Sequence, residues 1–597
     1  MKKDIFKKLL AITVAAVLCV TLFACGSNQE KETETTTIAA STNAETSAET
    51  TAEVLDKSPI TLTMGMQSQN CTIGDGIHQE YSVLKEITAQ TGVTLDFVTY
   101  DVNKFKVLAA GGDLPDLICV EGSDSTVAGT LIDSGALLQL DDLLGKYGEN
   151  ILNNIPKALK WSKEIVGKGK TYLIPVVTSS GNTSSPAVSG GAAFVARYDI
   201  YKAIGSPNMS GEDDFLNVLK QMQDYQRKAT GDNKIYALSA WSDWGLWPYI
   251  VSYPFANGYG NAANNHSLNM VTGEMEHNFL KEDSIFWKGL YFFNKAYRLG
   301  VFEPEALTMK WAQYGDKVYT GKVITGAASF LGIDNKACGE NAILVHLPGA
   351  FPYIPGVYDS DNPYGYQRSG ARSINASCKY PERAMQLMNY FDSEVGARTL
   401  KNGIMGVDWD ISNGKAKLIG PRLDAIKNGT LADYEKANPT SLGGENYVSL
   451  AMFWSSGEFK TSDGLPIDLA NTLEMKLNNA TPVQKGFAQD YDTSFSYPGQ
   501  VYEKWVKEGL AKTTTSTPEG AFLLSNTSAE SQQTESKAAE YVSANMAKLI
   551  LAKDEAEFNS VKAFMINDIK AMGVEASEAE FQKNYSDANI LVNSFNN

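Results

Sequence analysis

Residues 59–120 read PITLTMGMQSQNCTIGDGIHQEYSVLKEITAQTGVTLDFVTYDVNKFKVLAAGGDLPDLICV, and they decide the fold. Ile60, Leu62, Met64 and Met66 alternate with Thr and Gly, the period-two pattern of a strand. Tyr81, Leu84, Ile87 and Thr88 share one helical face, and Gly92 stops that helix. Val93, Leu95 and Phe97 alternate again as a second strand. Asp101 is placed to cap a helix carrying Phe105, Leu108 and Ala109. Gly111-Gly112-Asp113-Leu114-Pro115-Asp116 breaks this helix, and Leu117-Ile118-Cys119-Val120 reads as a third, fully buried strand. The order β-α-β-α-β starts an open α/β sheet, whose ligands gather near the carboxyl ends of the strands.

Outward from this unit the chain stays globular. Residues 192–203 give a further strand and helix start, Phe215, Leu216, Leu219 and Met222 mark one helix face, and 285–299 another. Residues 381–400 form a long amphipathic helix with Ala384, Leu387, Met388 and Phe391 inward. The last two hundred or so residues are mostly helical in pattern, with Ser/Thr-rich loops and no internal repeat. A length of 597 residues amounts to several domains of roughly 150. Hydrophobic residues at 43% and charged residues at 20% exclude a disordered chain and a multi-spanning membrane protein. The net charge of −17 opposes nucleic acid, whose binders need a positive field. Four histidines disfavour a His-dependent enzyme or zinc site, so no cofactor or metal is expected.

The first residues carry an address. Lys2, Lys3, Lys7 and Lys8 precede an apolar run at 9–23, too short for a comfortable membrane span of about 20 residues. The run ends in Leu22-Phe23-Ala24-Cys25-Gly26, which resembles a bacterial lipobox. Residues 1–24 are expected to be a signal peptide cleaved before Cys25, whose thiol carries lipid; a plain secretory signal with a chance cysteine is the alternative. Residues 25–58, rich in Thr, Ser, Ala and Glu, cannot bury enough surface to offset chain entropy and read as a flexible tether. Four lysines and one aspartate leave with the signal, moving the net charge from −17 to −20, so anchoring rests on lipid rather than basic attraction. Cys71, Cys119, Cys338 and Cys378 show no C-x-x-C spacing.

Six further segments occur in the order of a known family. They are Gly112-Asp113-Leu114-Pro115-Asp116; LLQLDDLLGKY at 137–147; Gly169-Lys170-Thr171-Tyr172-Leu173-Ile174-Pro175; the strand and helix at 194–205; Tyr319-Thr320-Gly321-Lys322-Val323; and Pro381-Glu382-Arg383-Ala384 running to Gly403-Ile404-Met405-Gly406-Val407. Together, behind a lipobox, the chain resembles the family-1 extracellular solute-binding proteins of the maltodextrin-binding type. It is most similar to their long lipoprotein branch in Gram-positive bacteria. The resemblance implies an α/β, two-lobed periplasmic-binding-protein-like (type II) fold with a hinge and an interlobe ligand cleft. It implies lobe 1 from 59–190 and 323–372, and lobe 2 from 191–322 and 373–597 with an extended helical C-terminal part. It also implies a substrate-binding component of an ABC importer on the extracellular face of the membrane. Such a protein captures a solute, most readily an oligosaccharide, and hands it to permease subunits encoded separately. Several long relatives carry an Asp/Asn-rich calcium loop after the helix holding Phe215; here the place reads Lys228-Ala229-Thr230-Gly231-Asp232-Asn233-Lys234, too poor in oxygen ligands for calcium.

Residues 237–260, ALSAWSDWGLWPYIVSYPFANGYG, hold three of the nine tryptophans. Aromatic rings stack on the C–H faces of sugars while polar groups bond the hydroxyls. In maltodextrin-binding relatives a stacking aromatic precedes a Trp-Pro pair by three residues, which puts Trp244 at that position before Trp247-Pro248. Trp241 is a second candidate and Trp247 reads as core. Glu121, Ser123 and Asp124 follow the third strand, where ligands bind, and Thr178 and Ser179 match the family's polar hinge-side position. Trp311, Arg368 and Trp454, with Tyr314, lie in segments expected to face the cleft. The sequence contains no G-x-S-x-G, H-E-x-x-H or P-loop motif. A hydrolase built on a carboxylate pair, with Asp113 and Asp116 as candidates although the family order implies structural loop residues there, and a binder of peptides or other solutes are the alternatives. The lipobox yields a direct expectation: Cys25→Ser leaves the protein unlipidated, and fractionation finds it released or unprocessed. Membrane retention of this variant with normal cleavage after Ala24 refutes the assignment.

Overall fold

In a computed structural model that describes residues 56–67, 74–120, 125–176, 178, 193–261, 265–327, 331–354, 364–365, 371–428, 430–431, 434, 459–512 and 527–596, the two opening strands run parallel in continuous register. Strand Ile60–Gln67 pairs with Val93–Tyr100 from Ile60↔Val93 to Gln67↔Tyr100, and on its other side Met64 pairs with Leu117 of Leu117–Cys119. Helices Ser82–Thr91 and Val102–Gly111 make the crossovers that parallel strands require. Gly92 closes the first in a left-handed conformation (φ 72°), and the Asp101 side chain accepts the Lys104 N–H at 2.8 Å to cap the second. Gly65 has no Cβ to place, and one there would sit 2.6 Å from the Tyr100 ring. The Tyr100 hydroxyl thereby reaches across to the third strand, accepting the Cys119 N–H at 3.2 Å and donating to its carbonyl.

Two antiparallel strands finish this sheet. Gly76–Ile77 lies on one edge, and Arg372–Ile374, arriving some 250 residues after the third strand, pairs with Leu117–Cys119 on the other. Ile174 bridges Arg372 in turn, so the segment leaving the lobe and the segment returning lie side by side. The second lobe is built on Leu344–Val345, Val195–Arg197 and Thr325–Gly326, all antiparallel. Single parallel bridges, Tyr236↔Val323 and Leu238↔Phe302, widen it. Helices Glu212–Thr230, Trp247–Ala256, Ile285–Arg298 and Trp311–Tyr319 bury their apolar faces in its core. No helix among the described residues is long and apolar enough to cross a membrane.

The packing corrects the expected lobe boundaries. Val323, Ile324, Ala327, Val345 and Leu347 are buried in the second core, so these residues belong to lobe 2 instead of lobe 1. Ile374, Ala384, Leu387, Met388, Leu400, Phe459 and Ile467 share a core with Leu62 and Leu95, so these residues belong to lobe 1 instead of lobe 2. The reason is strand pairing: Thr325–Gly326 hydrogen-bonds to Val195–Arg197 within the second sheet, and the return to the first comes only with Arg372–Ile374. A third passage follows Ile467, and Phe487 then packs on Tyr198 at 4.7 Å between ring centroids. The helices Ala529–Ile550 and Glu555–Ala571 extend the second core.

One group within lobe 1 opposes its stability. Asp392, between helices Pro381–Phe391 and Glu394–Asn402, is 0% exposed, and neither carboxylate oxygen has a partner among the described residues. Burial pushes its carboxyl well above the usual carboxylate range. The folded state therefore holds a proton that the unfolded chain releases, and stability falls as pH rises from the unfolded value toward the folded one. Asp392→Asn removes this cost. Thermal unfolding is expected to show the variant more stable than the parent at pH 7, with the gain vanishing near pH 3.

Candidate functional site

A cluster of aromatic side chains forms where the chain leaves the second sheet. After Leu238 the backbone turns through 241–245, with Gly245 in a left-handed conformation (φ 60°), and Pro248 in the first turn starts helix Trp247–Ala256. The turn is tied to the start of the helix at Trp311. The Ser242 N–H and hydroxyl both donate to the Met309 carbonyl, at 2.8 and 3.0 Å, and the Trp311 N–H donates to Asp243 Oδ1 at 2.8 Å. These bonds bring four tryptophans and Tyr314 together.

Within this group the rings differ in what they can offer. Trp241 is 0% exposed, 4.7 Å between centroids from both Trp311 and Tyr314, with 5.5 Å and 5.7 Å to Trp244 and Trp247. A ring with no open face cannot stack on a sugar, so the expectation that Trp241 contacts ligand is corrected: it is the floor of the cluster. Trp244 is half-buried and lies nearly parallel to Trp311, 4.8 Å away at 27°. Trp247 is half-buried too, more open than the core position expected of it, and meets Trp244 edge-on at 5.4 Å. Trp311 is 6% exposed and backs the Trp244 ring. The Tyr314 hydroxyl accepts the Ala327 N–H at 2.9 Å, and burial pushes this phenol up, which keeps it neutral. Asp243, exposed beside the shelf, is a polar neighbour that sequence reading missed. Its only signal was its place between Trp241 and Trp244.

Other expected residues fall as follows. Thr178 lies in the outbound crossing but is 2% exposed, enclosed near Gly365 of the return segment, so it packs the hinge rather than presenting an open polar face. Cys25, Glu121, Ser123, Asp124, Ser179, Arg368 and Trp454 lie outside the described residues. Asp116, a candidate for a catalytic pair, has a structural use. Its Oδ2 accepts the Thr63 N–H at 2.9 Å and the Thr63 hydroxyl at 2.7 Å, tying the third strand to the first. Asp232, in the segment read as too poor in oxygen ligands for calcium, pairs with Lys322 Nζ at 2.5 Å and accepts the Lys234 N–H at 2.8 Å, so its carboxylate is already paired with an ammonium.

Among the described residues, His266, His277 and Glu578 bring atoms of metal-ligand type within 4.8 Å of one another. The hydrogen bonds oppose a metal there. His277 Nδ1 accepts the Phe279 and Leu280 N–H groups at 3.1 and 3.3 Å, which leaves the ring proton on Nε2, directed at Glu535 at 3.2 Å. Neither nitrogen then has a free lone pair. Burial is the largest influence on the Glu535 carboxyl and raises it, but His277 together with hydrogen bonds from Asn265 and Ser577 holds it below its usual range. His266 Nε2 meets Glu578 at 2.5 Å and its ring stacks on Phe581. The cluster pins hairpin His266–Asn269/Met275–His277 to the C-terminal helices.

Over residues 76–397, more than half the chain, the sequence matches the bacterial extracellular solute-binding proteins. The chain belongs to this family. No curated protein matches this solute-binding protein by sequence. Its fold is shared by solved structures of low identity. The S. pneumoniae ABC-transporter substrate-binding protein FusA in complex with kestose superposes with a TM-score of 0.56 at 16% identity, over 88% of this chain and 99% of that one. An HMO-binding ABC-transporter-associated solute-binding protein from Bifidobacterium longum infantis gives 0.56 at 14%, over 89% and 99%. Alginate-binding protein AlgQ2 without calcium ion gives 0.53 at 17%, again over 89% and 99%. These likenesses establish the two-lobed, type II architecture for this solute-binding protein.

The two central tryptophans respond differently to truncation. Trp241→Ala empties the floor of the cluster and is expected to cost about 3–5 kcal/mol of stability. Trp244→Ala, removing a half-exposed ring, is expected to lower the melting temperature far less. Equal losses in calorimetry would refute this division.

Proposed function

We propose that this protein captures an oligosaccharide between its lobes and delivers it to a separately encoded ABC permease, held to the outer membrane face by lipid on Cys25. The observation that carries the reading is the Trp244 ring, half-buried and backed by Trp311 at 4.8 Å. A ring held flat by a second ring is a preformed platform for the C–H face of a sugar, and Asp243 beside it supplies an acceptor for a hydroxyl. The names of the solved relatives, which bind kestose, HMO and alginate, support the same ligand class. Lobes joined by crossing strands close on ligand to the extent that ligand prefers the closed form. The lipobox at 22–25 and the tether behind it support the anchor.

Titration calorimetry against neutral and acidic oligosaccharides, with peptides as the contrasting class, tests the reading. An oligosaccharide is expected to bind, and Trp244→Ala to weaken it by roughly 1–3 kcal/mol, about ten- to a hundredfold. Binding of peptides alone, or a Trp244→Ala variant with undiminished sugar affinity, would refute it. Turnover of the bound sugar would favour a hydrolase instead.

A further inference from the structure

The last helix, Val574–Asn596, belongs to both lobes. Its 23 residues span roughly 34 Å at about 1.5 Å each. Val574 lies in the second core, and Phe581 and Tyr585 pack with Leu268 and Met275 of the second lobe's hairpin. Polar bonds lock this half in place. Gln582 donates to the Met275 carbonyl at 3.1 Å, Tyr585 to the Gly273 carbonyl at 2.8 Å, and Glu578 meets His266. The other end leaves the second lobe altogether. Val592, 6% exposed, joins the core of the first lobe's second sheet face, with Phe105, Ile118 and Trp161. Phe595 meets Trp161 edge-on at 5.3 Å and Tyr364 at 6.2 Å, and Lys160 Nζ sits 4.3 Å over its ring.

Tyr364 gives this contact its meaning. It lies in the return segment, next to Gly365, where a Cβ would meet the Val176 carbonyl and the Thr178 side chain of the outbound crossing. The helix tip therefore docks against the hinge itself. We propose that the last turn of this helix is a hinge clamp: a rigid strut fixed to lobe 2 whose tip, through Val592 and Phe595, holds lobe 1 and limits how far the lobes separate. The clamp rests on the reading of two lobes that open and close, but it acts without ligand, so it is tested without one. Among the described residues the backbone passes from one core to the other between Ile174 and Ala193, between Ile354 and Ala371, and after Ile467; the helix tip adds a link that is made and broken by packing alone.

The test is small-angle scattering and hydrogen exchange on the ligand-free full chain with Phe595→Ala and, separately, Lys160→Glu. Lys160 is exposed, so its variant removes the cation over the Phe595 ring without disturbing a core. In Phe595→Ala, amide exchange in the last turn is expected to accelerate about tenfold or more while residues 577–585 stay protected, and the radius of gyration to rise. Lys160→Glu is expected to give a smaller shift in the same direction, and it decides the matter if Phe595→Ala lowers the melting temperature of the whole protein. A tip that exchanges faster with an unchanged or smaller radius overturns the clamp, as does a tip whose exchange does not change. Lobes that widen in a protein that binds no oligosaccharide would uphold the clamp and sink the ligand assignment, which keeps the two apart.

Discussion

Everything in this molecule hangs on one short antiparallel pairing, that of Arg372–Ile374 with Leu117–Cys119 on one side and Ile174 on the other. The Ile174 N–H donates to the Arg372 carbonyl at 2.7 Å and the Arg372 N–H to the Ile174 carbonyl at 2.9 Å, while the Val120 N–H donates to Ala371 at 2.9 Å. These few bonds close the first sheet and hold together the two strands that cross to the second lobe. An edge strand of three residues would be marginal alone, but Ser373 and Ile374 are fully buried, so the pairing is made inside the protein, where an unmade hydrogen bond is expensive. The hinge and the first core are consequently one construction: what lets the lobes articulate also completes the sheet that anchors them.

How much of this could be read from the sequence follows from the range of the interactions concerned. The opening β-α-β-α-β was legible because its signals are local: alternation in 60–66 and 93–97, an aspartate cap at 101, a glycine stop at 92. The lobe boundaries were misread for the opposite reason. Thr325–Gly326, Leu344–Val345 and Arg372–Ile374 are two or three residues long and carry no periodicity. Which sheet each joins is decided by partners more than a hundred residues away. A sequence motif can announce a return to the first lobe at 319–323, but only packing shows that Val345, Leu347 and Ile354 still belong to the second core.

The aromatic cluster divides in the same way. The density of tryptophan at 241–247 marked the region correctly as unusual, yet neighbours in sequence are not equivalent in space. Trp241 went inside because Trp311 and Tyr314, some seventy residues on, close over it, while Trp244, three residues further along the turn, stays half-buried. Asp116 is a carboxylate whose place in the loop before the third strand, rather than its charge, decides its role. Its residue type suggests chemistry, while its bonds to Thr63 show a strand tie.

The order of the segments has a consequence for how the chain acquires its structure. Lobe 1 is assembled from residues before 176 and after 371, with the first part of lobe 2 inserted between, and lobe 2 in turn waits for Phe487 and the helices beyond 529. Neither core can be completed by the half of the chain that emerges first. Bringing Leu117 and Ile374 together closes a loop of some 250 residues, and contacts so distant in sequence are made slowly. Until they form, the strand at 117–119 presents an unpaired, apolar edge, the kind of surface on which unfinished chains associate. Arg372–Ile374 is therefore also the strand whose late arrival sets how long the newly made chain remains at risk of aggregation.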